Sequence, residues 1–153
     1  DYIDIVARGF KKTNQQLSYA YTKRGDVLEL NLPANPGEYD VRFILNASDG
    51  ERVLARQPLT VTDTAATLDV PATAVPDAVL EISWQGPGAK GDFIDIVPRG
   101  KKLPKDSIHY AYTRTSNPVE LKMPSEAGQY DVRYIHVGSD TRIVKARQPI
   151  DVN

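Results

Sequence analysis

The sequence predicts an all-β protein built as two tandem β-sandwich domains. Three observations carry this: a long internal duplication, strand-period alternation of side chains, and turn residues at roughly ten-residue spacing. "DYIDIVARG" at 1–9 returns as "DFIDIVPRG" at 92–100, an offset of 92 − 1 = 91. The same offset joins "YAYT" at 19–22 to 110–113 and "GEYDVRF" at 37–43 to "GQYDVRY" at 128–134. It still holds, without a gap, between "ARQPLTV" at 55–61 and "ARQPIDV" at 146–152. About half of the aligned positions are identical, and the period is domain-sized rather than that of a solenoid.

The elements of the second copy follow in order. "ATLDV" supplies a short strand at 67–70, and "AVLEISW" one at 79–85 with Ile82 and Trp84 directed to a core. "FIDIV" at 92–97 sets Ile94 and Ile96 on one face and Asp95 on the other. "HYAYT" gives 109–113, and "VELKM" gives 118–123 with Val119, Leu121 and Met123 inward. "YDVRY" places Tyr130, Val132 and Tyr134 inward within 129–136; at 142–152, Val144, Ala146, Gln148, Ile150 and Val152 share one face. In the first copy Leu28, Leu30 and Leu32 repeat the "VELKM" pattern, and Asp49-Gly50 is a hairpin turn pair. Pro and Gly at 33, 36, 37, 124 and 128 separate the strands.

These limits divide the chain at 1–63 and 64–153. The stretch 64–91 has no counterpart before Asp1, so the first domain is expected to lack its N-terminal strands. Its sheet edge would then invite a donated strand. The linker "TDTAATLDVPATAVPDA" is partly strand, which predicts two beads end to end.

Composition removes whole classes of chemistry. Lysine and arginine total 19 against 20 acidic residues, so no general attraction to nucleic acid is expected. No apolar run nears the roughly 20 residues of a membrane-spanning helix, and no membrane insertion by this segment is expected. With no cysteine, disulfides and thiol nucleophiles are excluded. The two histidines, His109 and His136, face Ser18 and Leu45 in the other copy, so neither belongs to a shared site; both are expected at a surface or edge strand. Asp4 and Asp95 are expected on a solvated face, unlike a glycosidase pair flanking a cleft. Asp1 or Asp92 alone falls far short of the six to eight oxygens calcium takes. The reading is therefore non-enzymatic, without a cofactor.

Gly-x-Tyr-x-Val recurs at 37–41 and 128–132. In immunoglobulin-like sandwiches a tyrosine at this place ties its hydroxyl to upstream backbone, so Tyr39 and Tyr130 are candidate tyrosine corners and the domains are read as immunoglobulin-like. The series "SWQGPGAKGDFIDIVPRG", "YAYT", "GQYDVRY" and "ARQPIDV" resembles bacterial immunoglobulin-like repeats in the C-terminal regions of von Willebrand factor A domain proteins. The resemblance implies an extracytoplasmic location, periplasmic or cell-surface, and an adhesion or assembly role with a protein partner or with other domains of the same polypeptide. The metal-binding Asp-x-Ser-x-Ser of the A domain does not occur here.

Two surfaces are candidates for that role. Asp4, Asp40, Arg42 and Arg56, repeated as Asp95, Asp131, Arg133 and Arg147, form either a solvated ion-pair ladder or a protein-binding face. Tyr19, Tyr21, Tyr110 and Tyr112 offer the alternative of a carbohydrate-binding module, if their face is open rather than core.

Overall fold

A computed structural model describes all residues 1–153. The protein is all-β, with one short 3-10 turn at Thr22–Arg24. The chain divides into one unit of residues 1–63 with 138–141, and another of 64–137 with 142–153.

In the second unit β-strands form at Thr67–Asp69 (β5), Thr73–Ala74 (β6), Val79–Gln85 (β7), Phe93–Pro98 (β8), His109–Tyr112 (β9), Val119–Lys122 (β10), Gly128–Val137 (β11) and Arg142–Val152 (β12). They make a three-stranded sheet, β10-β7-β5, and a five-stranded sheet, β6-β12-β11-β8-β9. The seven strands expected from alternation are all present. The unforeseen β6 is two residues long, too short for a period to register, and pairs parallel with β12 through Thr73 and Asp151. Between the sheets Leu68, Ile82, Val119 and Leu121 meet Ile94, Ile96, Val132, Tyr134 and Ile150, the sandwich-like arrangement that two half-apolar sheets require. Trp84 does not fill this core as expected. Its indole N–H needs an acceptor, found in the Ser116 carbonyl at 3.2 Å, and the half-buried ring stays at the core margin against Tyr134.

The first unit has strands at Tyr2–Ala7 (β1), Ser18–Tyr21 (β2), Gly37–Ala47 (β3) and Gly50–Val61 (β4), in one antiparallel sheet ordered β2-β1-β3-β4. This order repeats β9-β8-β11-β12. Even the β-bulge recurs, between Phe43 and Ile44 in β3 and between Tyr134 and Ile135 in β11. The bulge overturns one alternation: Ala146 pairs with Tyr134 but Val144 pairs with Ile135, so the two lie on opposite faces. The β3–β4 turn is centred on Ser48-Asp49, one residue earlier than expected, with Gly50 at φ +124° in a region that disfavours side chains.

Residues 28–32 do not form the strand their leucines suggest. Their counterpart β10 is held by pairing with β7, whereas this chain offers 28–31 no such partner. Alternation selects a face, but a ladder makes the strand. The effect reaches the core: Met123 is fully buried, while Leu32 at the equivalent place is 47% exposed. The first unit therefore carries one sheet and a part-buried inner face, where the second has a closed core.

Candidate binding site: the outer sheet face and its aromatic edge

Alternation sends Tyr2, Asp4 and Val6 of β1, and Phe93, Asp95 and Val97 of β8, to the face opposite the core. The expectation that the charges there are solvated is overturned. Asp4, Asp40, Arg42, Asp95, Asp131 and Arg133 are all buried, none more than 4% exposed. The cause is the long loop after each strand, 8–17 and 99–108, which is drawn over the face by its own backbone carbonyls.

The guanidinium makes the attachment. Arg42 donates to both oxygens of Asp4, at 2.9 and 2.6 Å, and Arg133 to both of Asp95 at the same distances. The free nitrogen of Arg42 donates to the carbonyls of Phe10 and Lys12, and that of Arg133 to those of Lys101 and Leu103. A second layer lies nearer solvent. Arg56 reaches Asp40 at 2.6 Å and the Phe10 carbonyl at 2.8 Å; Arg147 reaches Asp131 at 2.7 Å and the Lys101 carbonyl at 2.6 Å. Gly9 and Gly100, at φ +77° and +86°, turn their amides onto Asp40 and Asp131 at 2.8 and 2.9 Å. These eight residues are thus neither a solvated ladder nor an open contact face. They fasten a ten-residue loop, and only Arg56 and Arg147 remain partly in water.

Asp40 is held below the ordinary 3.8 chiefly by the Gly9 amide, against the opposing effect of burial, and further by Arg56 and Arg8. A carboxylate whose folded value lies below its unfolded one adds stability above the unfolded value and loses it as pH falls through the folded one. The Asp40→Asn variant is expected to be less stable than wild type near neutrality, with the gap closing below about pH 4. Denaturant midpoints across that range check this; a gap independent of pH contradicts it.

Tyr39 and Tyr130 adopt the expected corner geometry. Both rings are buried, and their hydroxyls donate to the Asn35 and Glu126 carbonyls, four residues upstream, at 2.8 and 2.9 Å. Their role is structural.

Tyr19, Tyr21, Tyr110 and Tyr112 face outward: they are 57%, 42%, 58% and 39% exposed, which decides between core and open face. Register sets Tyr19 opposite Asp4 and Tyr110 opposite Asp95, on the same face as the buried ion pairs. Each pair closes on a third ring, Tyr2 or Phe93, in perpendicular contacts with centroids 5.5–6.4 Å apart. Lys23 lies 5.6 Å from the centroid of Tyr21, and Arg114 5.3 Å from that of Tyr112. Strands β2 and β9 are the outer strands of their sheets, so the rings sit along the outermost strand of each. In the second unit Phe93, Ser107, Tyr110, Tyr112 and Arg142 line a cleft of about 260 Å³.

Sequence reasoning missed the third ring and Arg142, which are near only in space. It also missed the surroundings of Asp92, a fully buried carboxylate that accepts from the Tyr134 hydroxyl at 2.7 Å, His136 Nδ1 at 3.0 Å and the Val137 amide at 2.8 Å. Burial, and then this carboxylate, push the Tyr134 hydroxyl well above its ordinary value. His109 lies on edge strand β9 as expected. His136 does not: it stands on the interior strand β11, with its side chain 14% exposed. Phe43 and Leu45 replace the two partners in the first unit, where Asp1 keeps only the backbone bond, from Asn46.

No protein family, characterised protein or solved structure matches this chain.

Proposed function

We propose that the chain is a non-catalytic tandem immunoglobulin-like module that binds a protein partner through its two aromatic edges. In the setting the sequence resemblance implies, it serves adhesion, assembly or spacing for a larger extracytoplasmic protein, such as one carrying a von Willebrand factor A domain. The observation that carries the reading is the recurrence, in both units, of two exposed tyrosines on an edge strand braced by a buried arginine–carboxylate pair. Exposed tyrosine and arginine on a rigid base is the chemistry of interface hot spots, because these side chains bring large contact area at small entropic cost. The stretch 28–31, which pairs with no strand, is read as the receiver of one from elsewhere in the polypeptide or from a partner.

Ring exposure also favours a second reading, carbohydrate binding. Sugar stacking, however, uses an open flat ring face. Here the rings meet edge to face, and cations lie over Tyr21 and Tyr112. Serine at Tyr19, Tyr21, Tyr110 and Tyr112 together is expected to weaken partner capture by at least about tenfold while the fold is retained. Capture that survives these changes refutes the proposal; glycan-array binding that vanishes with them selects the carbohydrate reading.

A further inference from the structure

We infer that the aromatic cleft of the second unit recognises a carboxylate side chain on an extended peptide laid along β9, and that the first unit lacks this preference. The inference rests on the binding reading above and adds the ligand's chemistry to it.

The duplication supplies an internal comparison. At an offset of 91, Phe93 stands where the first unit has Tyr2, Arg114 where it has Lys23, and Arg142 where it has Glu51. The ring cluster survives, but the charge beside it is inverted. In the first unit Glu51 accepts from the Tyr2 hydroxyl at 3.1 Å and so brings a negative charge to the ring cluster. In the second unit Phe93 has no hydroxyl, and Arg142 lies 5.7 Å from its ring centroid. Neither Arg142 nor Arg114 is paired with a carboxylate. Asp95 beneath the cleft cannot neutralise them, since both its oxygens are taken by Arg133 and one also by Ser107 at 2.6 Å.

An arginine stacked beside a ring keeps its in-plane N–H donors free, and a carboxylate satisfies two of them at once. A cleft of about 260 Å³ suits a side chain or two rather than a run of sugar rings. The peptide backbone has its own place: β9 forms a ladder only with β8, and although Thr115 already donates its hydroxyl to the Tyr112 carbonyl at 2.7 Å, the remaining outward amides and carbonyls accept an added strand. Such a strand directs every second side chain to the face that carries Tyr110 and Tyr112.

The test uses the full chain and two synthetic extended peptides, one alternating valine with glutamate, the other valine with glutamine, plus an oligogalacturonate. Affinities come from calorimetry and the site from amide shifts. The glutamate peptide is expected to bind at one site about tenfold tighter than the glutamine peptide, with shifts along β9 and around Arg142. Arg142→Glu is expected to abolish that preference, and Glu51→Arg to raise the stoichiometry from one peptide to two. Equal binding of both peptides that still needs Tyr110 and Tyr112 overturns the carboxylate assignment but leaves the aromatic-edge reading standing. Absence of binding to any probe overturns the carboxylate assignment, and the tyrosine substitutions then decide the reading beneath it. Arg142-dependent binding of the oligogalacturonate alone moves the site to an acidic sugar and overturns the peptide.

Discussion

Arg133→Ala is expected to destabilise the second unit by about 3–5 kcal/mol, because it strands Asp95 as an unpaired charge in a buried site. For a unit near 90 residues each kcal/mol lowers the melting temperature by roughly 4–8 °C, so the midpoint should fall by more than about 12 °C. The loss has a second part. Arg133 also holds the carbonyls of Lys101, Leu103 and Lys105, so the loop 99–108 should open, and its amides should exchange with solvent faster than those of β11. The double change Arg133→Met with Asp95→Leu removes both charges and should recover much of the global stability while leaving the loop loose. An exposed pair is worth at most about 1 kcal/mol. A measured loss that small for Arg133→Ala would show that the pair is solvated after all.

Separating the units should produce an even larger contrast. Residues 64–153 alone are expected to melt cooperatively, and residues 1–63 alone to lack a cooperative transition. The second unit closes two sheets over buried Ile82, Leu121, Met123, Val132 and Ile150. In the first unit, of the equivalents of the last four, Leu30, Val41 and Leu59 are only partly buried and Leu32 is exposed, and no second sheet covers them. Burial contributes about 25 cal/mol per Å² of apolar surface, and a lone sheet with one wet face gains too little of it to offset the conformational entropy of ordering. Thermal melts followed by near-ultraviolet dichroism check both halves of the expectation; a sharp transition for residues 1–63 contradicts it.

The sequence by itself determined seven of the eight strands of the second unit and the repeat of the pattern in the first, because side-chain alternation and turn residues act locally. It also determined the tyrosine corners, since the bond from Tyr130 to Glu126 spans only four residues. What only the tertiary structure decided was the state of each face. Asp95 and Arg133 read as polar and therefore wet, yet a loop 30 and 32 residues before Arg133 supplies the carbonyls that make their burial tolerable. Leu28, Leu30 and Leu32 read as a strand, yet without a partner to complete the ladder they are none. The cleft of Phe93, Tyr110, Tyr112 and Arg142 draws on three strands, and no local pattern joins them. Periodicity states which way a side chain points; what it meets there depends on distant chain, and with it solvation, charge pairing and the shape offered to a partner.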